Sequence, residues 1–174
     1  NLFSVDAARK IMSFSMMVAL AALIVLGGWR SYRMSIAGQA NQARSAVFIV
    51  VAATAMLLFF GNGSYSMSLN HFPSDSMLVA YLYAALFLDL GRIGFRSNVI
   101  VHAAFGVATV WMEFISGGAP LSVCLILYLF ASQAAGGPHN DAPRSAMIAL
   151  GAFSSAFLTA FAFKMIVTAA IFGP

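Results

Sequence analysis

Charged residues are scarce in this chain. They make up only 8% of its 174 residues, whereas 61% are hydrophobic and the mean hydropathy is +0.91. A soluble domain usually carries about a quarter of its residues as charged ones, so these few charges could not cover the surface of a soluble fold. The composition therefore predicts a membrane-embedded protein.

Cysteine and the common catalytic motifs are also scarce or missing. The single Cys124 excludes an intramolecular disulfide and a cysteine-built metal site, and we expect it to be a small buried apolar residue. The sequence contains no nucleophile elbow, phosphate-binding glycine loop, paired carboxylates or metal-ligand spacing. We therefore expect a protein that is not an enzyme and has no catalytic, metal or cofactor site, with bound phospholipid as its accompanying molecule.

Long apolar runs fill most of the sequence instead. The first, residues 11–29, has 19 residues without a charge, which is enough to cross a hydrocarbon core of about 30 Å at about 1.5 Å per residue. The further runs predict an all-α fold with about six transmembrane helices in one membrane domain, residues 1–174. We expect these helices to form three hairpins, at about 11–60, 77–114 and 121–172.

Turn residues predict where the first helices stop. Residues 37–43 form a polar connector, and Ser45 suits the N-cap of the second helix. The sequence Gly61-Asn62-Gly63-Ser64 ends that helix with residues that tolerate positive φ. A loop containing Pro73 is then expected to run to Asp75, with Ser74 or Asp75 as the cap of a third helix that spans 77 to about 91.

Arginines mark the turns of the three predicted hairpins. An Arg-Ser pair recurs at 44, 96 and 144, and each pair opens into an apolar run. With these turns on one side, that side holds six arginines against two aspartates, a net +4, while the other side holds three basic and three acidic residues. Short loops rich in arginine stay cytoplasmic, so both termini are predicted to be periplasmic. The topology-setting residues are Arg30, Arg33, Arg44, Arg96 and Arg144.

Two ion pairs and a histidine are the other candidates inside the membrane. Lys164 lies 20 residues after Arg144 and Glu113 lies 16 residues into its helix, so both should reach the outer interface and pair there. Asp89 and Arg92, three residues apart, are the candidate inner pair. His102 is expected to be a hydrogen-bonded structural residue, with a proton relay to Asp89 as the alternative.

The last predicted helix carries a row of small residues. Gly151, Ser155 and Thr159 follow one another at steps of four, so they share one helix face on which another helix can approach closely. Packing within the monomer is one interpretation of this row. Contact with neighbouring copies or with other membrane subunits is the other, and it is the one that we expect.

The basic residues also bear on partners and on processing. They stand singly between apolar runs, which argues against direct sequence-specific binding of nucleic acid. The chain does not begin with Met and its first residues lack the order of a signal peptide. We expect a mature chain whose leader has been removed; a trimmed chain is the alternative.

Several short segments resemble a known group of proteins. They are Gly27–Arg33 (Gly-Gly-Trp-Arg-Ser-Tyr-Arg), Gln42–Ala46 (Gln-Ala-Arg-Ser-Ala) and the hydrophobic pattern of Leu88–Gly106. In these the chain resembles the small polytopic inner-membrane proteins of type IVB secretion and I-type conjugation systems (the TraQ/IcmC kind). The resemblance implies a non-enzymatic structural subunit of a transfer apparatus, or a pilin-like subunit assembled into an extracellular filament. The alternative function is a small ion- or proton-coupled transporter or channel.

Overall fold

The described part of the chain is all helical. A computed structural model describes residues 4–61, 64–88, 94–112, 118–134 and 142–173, with side chains over 4–58, 76–88, 94–112, 120–131 and 143–173. Within these ranges lie six helices and no strand, as the sequence predicts. The helices are α1 (Val5–Ile36), α2 (Ala40–Gly61), α3 (Ser64–Leu88), α4 (Phe95–Met112), α5 (Gly118–Ala134) and α6 (Ala142–Phe172).

Three of these helices are long and apolar enough to cross a membrane. Among the described residues they are Val5–Ile36, Ala40–Leu58 and Pro143–Phe172, and Ser76–Leu88 and Pro120–Ala131 are shorter apolar helices. This length and apolarity indicate a membrane-associated protein. Six crossings and the three-hairpin arrangement stay predictions.

The end of α1 corrects the first predicted connector. Gly38 has a φ of 71°, its N–H donates to Ser35 O at 3.1 Å, and the N–H of Gln39 donates to Met34 O at 2.9 Å. These two bonds form a Schellman motif, which ends a helix in a single glycine turn. The polar connector expected over 37–43 and the N-cap expected at Ser45 are therefore wrong, because α2 already begins at Ala40.

The start of α3 corrects the second predicted turn. The loop expected up to Asp75 is wrong, because α3 begins at Ser64 and continues through Pro73 to Leu88. A proline inside a helix removes one backbone hydrogen bond and tends to kink the helix. α3 continues through Pro73 despite that cost, so turn-forming residues alone do not determine where α3 begins.

α1 and α2 form a tight antiparallel pair. A Cβ added at Gly27 would lie 2.6 Å from Val50 Cγ2, so the glycine allows the helices to approach closely. One turn further along α1, the Ser31 hydroxyl donates to Ala43 O at 3.1 Å. Later residues of α1 thus meet earlier residues of α2, as in a helical hairpin.

α6 packs chiefly against α4, with α5 a smaller neighbour. A Cβ at Gly106 would clash with the carbonyl group of Phe153 and lie 3.2 Å from the amide nitrogen of Phe157. Asn98 bonds to Ser145, and this pair has the same 47-residue offset as Gly106 and Phe153. The two helices therefore run parallel and in register.

α1 and α3 also run parallel. The Tyr83 hydroxyl donates to Ala19 O at 2.7 Å, and further along both helices the Arg30 guanidinium donates to Leu86 O. Because every backbone carbonyl in a helix still has a free lone pair, such bonds join helices without breaking either one.

Candidate functional site

His102 is the centre of a buried polar cluster. Its side chain is fully buried; Nδ1 lies 2.8 Å from Asn98 O, and Nε2 lies 2.7 Å from Tyr81 Oη. Because a carbonyl oxygen only accepts, Nδ1 carries a proton, and in the neutral imidazole Nε2 then accepts a hydrogen bond from the Tyr81 hydroxyl. This geometry fixes one neutral tautomer of the imidazole. It confirms the hydrogen-bonded histidine that the sequence predicts.

Aromatic rings close this cluster on its other sides. Tyr81 stacks on Phe105 with ring centroids 4.2 Å apart, and Phe130 of α5 lies 5.8 Å from the imidazole. Phe153 of α6 packs against Phe105 at 5.5 Å. Rings from α3, α4, α5 and α6 thus surround the cluster, which buries apolar area and shields its hydrogen bonds from water.

Asn98 links the cluster to α6 and is incompletely satisfied. Its side chain is 4% exposed, and its Nδ2 donates to Ser145 O at 3.2 Å. Its Oδ1 is buried without a hydrogen-bond partner, which costs on the order of 1–3 kcal/mol. Sequence reasoning assigned no role to Asn98 or to Tyr81. The one available signal was the spacing of Asn98 and His102, which are one helical turn apart.

The row formed by Gly151, Ser155 and Thr159, here called the α6 seam, faces outward. All three residues are exposed, and a Cβ at Gly151 would meet nothing within 4 Å. The hydroxyls of Ser155 and Thr159 donate back to Ala152 O and Ser155 O of their own helix. The α6 seam is thus a smooth surface whose hydroxyls already have partners. The opposite face, with Ala149, Phe153 and Ala160, packs into the core.

Lys164 contacts the end of α4. Its Nζ donates to Val110 O at 3.0 Å, two residues before the last residue of α4. A cation is favoured there because the final carbonyls of a helix have no partner within the helix. Glu113, its predicted partner, lies outside the described residues, so the ion pair stays a prediction. The predicted Asp89–Arg92 pair lies outside them as well.

The topology-setting arginines that the structure describes lie at one end of the bundle, here called the arginine end. Arg30 caps the last turn of α3 through Leu86 O, and Arg33 stands in the last turn of α1. Arg44 lies in the first turns of α2, and Arg96 and Arg144 lie in the first turns of α4 and α6. α1 is antiparallel to α2 and α4 is parallel to α6, so each pair brings its own arginines together. The Arg30–Leu86 bond joins the end of α1 to the end of α3, and the Tyr81–His102 bond joins the later half of α3 to the first half of α4, so the two pairs share one end. Which face of the membrane the arginine end occupies stays a prediction.

Cys124 is exposed, which corrects the expectation that it is buried. It lies on α5 beside an apolar groove that Val51 and Met56 of α2 also line. A thiol behaves as a small apolar group, so in a membrane it can face lipid as favourably as it can face the protein core.

The described residues contain no group of three metal-ligating side chains that could hold a metal ion. No protein-family model, curated protein or solved structure matches the chain. The geometry gives the chain three candidate sites: the His102 cluster within the bundle, and the α6 seam and the arginine end on its surface.

Proposed function

We propose that this chain is a structural, self-associating membrane subunit of a bacterial type IV secretion or conjugation apparatus. It would reside in the inner membrane, or outside the cell where such subunits are assembled into a pilus. The observation that carries the self-association is the outward exposure of the α6 seam. The assignment to a transfer apparatus rests on the sequence resemblance of the first hairpin and of residues 88–106.

The seam is suited to helix–helix contact in a membrane. Apolar side chains do not drive association there because lipid is equally apolar, so helices associate through close packing between small residues. Gly151 and Thr159 are eight residues apart, which gives the seam a length of about 12 Å. Packing within the described monomer uses the opposite face of α6, so the seam is free to contact a second copy of the chain or another membrane subunit.

Size measurement tests the self-association. The protein is reconstituted in nanodiscs or a mild detergent, and its subunit number is read from its mass. We expect a defined oligomer that Gly151→Leu dissociates, because the added side chain separates the two seams. Gly28→Leu is the matched control, since Gly28 is also helical with nothing within 4 Å of an added Cβ. A wild-type monomer, or an oligomer indifferent to Gly151→Leu, would refute the proposal.

Electron microscopy of the purified material tests the role in an apparatus. We expect a ring, a filament or a part of a larger complex. Single monomeric particles that bind no other membrane protein would contradict this role. The experiment separates the two parts of the proposal, because a closed dimer would support self-association without supporting a transfer machine.

A proton- or ion-coupled transporter is the second candidate, and the His102 cluster favours it. A titratable group and an unpaired acceptor, Asn98 Oδ1, lie together inside the bundle, and ionisable groups at such depth often mark proton paths. Proton flux into liposomes that is lost in His102→Gln, and in Lys164→Met or Glu113→Gln, would support transport. Flux at the level of empty liposomes would exclude it.

A further inference from the structure

We propose that the groove between α4 and α6 binds an anionic phospholipid, with an acyl chain in the groove and the phosphate between Arg96 and Arg144. This requires the two helices to lie in the membrane but does not require self-association. The proposal gives the chain a specific lipid site in the leaflet at the arginine end.

The groove has the dimensions of an acyl chain. It has a volume of about 580 Å³, and its lining includes Val99, Ala103, Val107 and Trp111 of α4 and Ala152 and Ala156 of α6. From Val99 to Trp111 it runs for twelve residues, or about 18 Å along the helix. One leaflet of a hydrocarbon core is about 15 Å thick, so the groove matches the depth of a single leaflet.

Two arginines stand where a headgroup would lie. Arg96 precedes Ala103 and Val107 by seven and eleven residues, which are two and three helical turns, so it shares their face. Arg144 precedes Ser155, another lining residue, by eleven residues. Both arginines are exposed, and the register of α4 and α6 brings them to the same level within about 1.5 Å.

The electrostatics favour a phosphate at this level. The guanidinium fork matches phosphate oxygens in a bidentate geometry, and the N-termini of α4 and α6 add the positive ends of two parallel helix dipoles. The apolar groove begins at Val99, three residues or about 4.5 Å from Arg96. A phospholipid has the same arrangement, because its phosphate is joined to acyl chains that begin a few ångströms deeper.

A second copy of the chain fits this groove less well. Copies in one membrane share their orientation, so a neighbour would bring its own arginine end to the level of Arg96 and Arg144. Like charges at one level repel, whereas a phospholipid brings a phosphate. Ser155 and Thr159 of the α6 seam also line this groove, so a lipid in the groove and a protein neighbour along the whole seam compete for that part of the surface.

Native mass spectrometry tests the site. The purified protein is incubated with equal amounts of phosphatidylglycerol and phosphatidylethanolamine that carry the same acyl chains. Each basic residue near a membrane surface strengthens the binding of an anionic lipid roughly fivefold, so two strengthen it about 25-fold. We expect phosphatidylglycerol to be retained over phosphatidylethanolamine by about that factor. The spectrum reports subunit number and lipid number separately, so failure of this site and failure of self-association are distinguishable.

Matched variants locate the lipid. Arg96→Gln with Arg144→Gln should abolish the preference, while Arg33→Gln with Arg44→Gln, at the same end but away from the groove, should keep it. Ala103→Leu fills the groove and should lower the occupancy of both lipids at least fivefold, with unchanged helix content by circular dichroism. Equal uptake of the two lipids by the wild type, or a preference that survives the Arg96/Arg144 pair of changes, would overturn the proposal. So would displacement of phosphatidylglycerol by inorganic phosphate.

Discussion

Substituting Gly106 tests the parallel packing of α4 on α6. Gly106→Ala places a Cβ against the backbone carbonyl of Phe153, and a backbone group moves only if the helix moves. Overpacking of this kind costs about 1–3 kcal/mol. Replacing glycine by alanine in a helix also gains about 1 kcal/mol from propensity. The matched control Gly151→Ala shares this gain without the clash. The difference in the free energy of unfolding between the two variants therefore measures the cost of the clash alone.

Thermal unfolding in mild detergent, followed by the fluorescence of Trp111 on α4 in a Trp29→Phe background, measures this difference. For a chain of this size, 1 kcal/mol shifts Tm by about 2–4 °C, so Gly106→Ala should melt roughly 2–12 °C below Gly151→Ala. Gly27→Ala should lie between them, because its nearest neighbour is the Val50 side chain, which can rotate away. Equal Tm values for Gly106→Ala and Gly151→Ala would refute the α4–α6 contact.

Three further substitutions test the polar contacts between helices. Tyr81→Phe leaves the buried Nε2 of His102 without a donor and should cost about 1–3 kcal/mol in the same melting assay; an unchanged Tm would contradict the cluster. Asn98→Leu removes both the bond to α6 and the unpaired Oδ1, so its effect on stability should be close to neutral or favourable. A loss of stability larger than that of Tyr81→Phe would argue against an unpaired Oδ1. Arg30→Met should speed hydrogen exchange in the last turn of α3, because Leu86 O loses its donor, while Arg33→Met should not; equal rates in the two variants would exclude the cap.

Fold class followed from composition, whereas helix ends did not. Apolar runs separated by basic turns sufficed to predict an all-helical, membrane-associated chain, because both are read directly from residue type. The ends depend on single backbone geometries. Gly38 ends α1 through its positive φ, but a lone glycine among several others did not stand out. The sequence predicts a loop at Pro73, although helix interiors tolerate proline at a cost.

Side-chain contacts between distant helices were the least predictable feature. The sequence indicated that His102 would be hydrogen-bonded, yet its partner Tyr81 lies 21 residues away on another helix. The preference of α6 for α4 depends on Gly106 meeting the backbone of Phe153, and no local pattern marks such a pair. The α6 seam was visible as a four-residue spacing, but only the structure shows that it faces away from the core.

Membrane sidedness tests the common basis of both proposals most directly. In a Cys124→Ser background, single cysteines replace Ser35, Ser97 and Pro143 at the arginine end and Val5 and Gly173 at the opposite end, and an impermeant maleimide is added to intact cells or to inverted vesicles. We predict labelling of the first three from the cytoplasmic side alone and of the last two from the outside alone. Labelling of Ser35→Cys and Ser97→Cys from opposite sides would contradict the account.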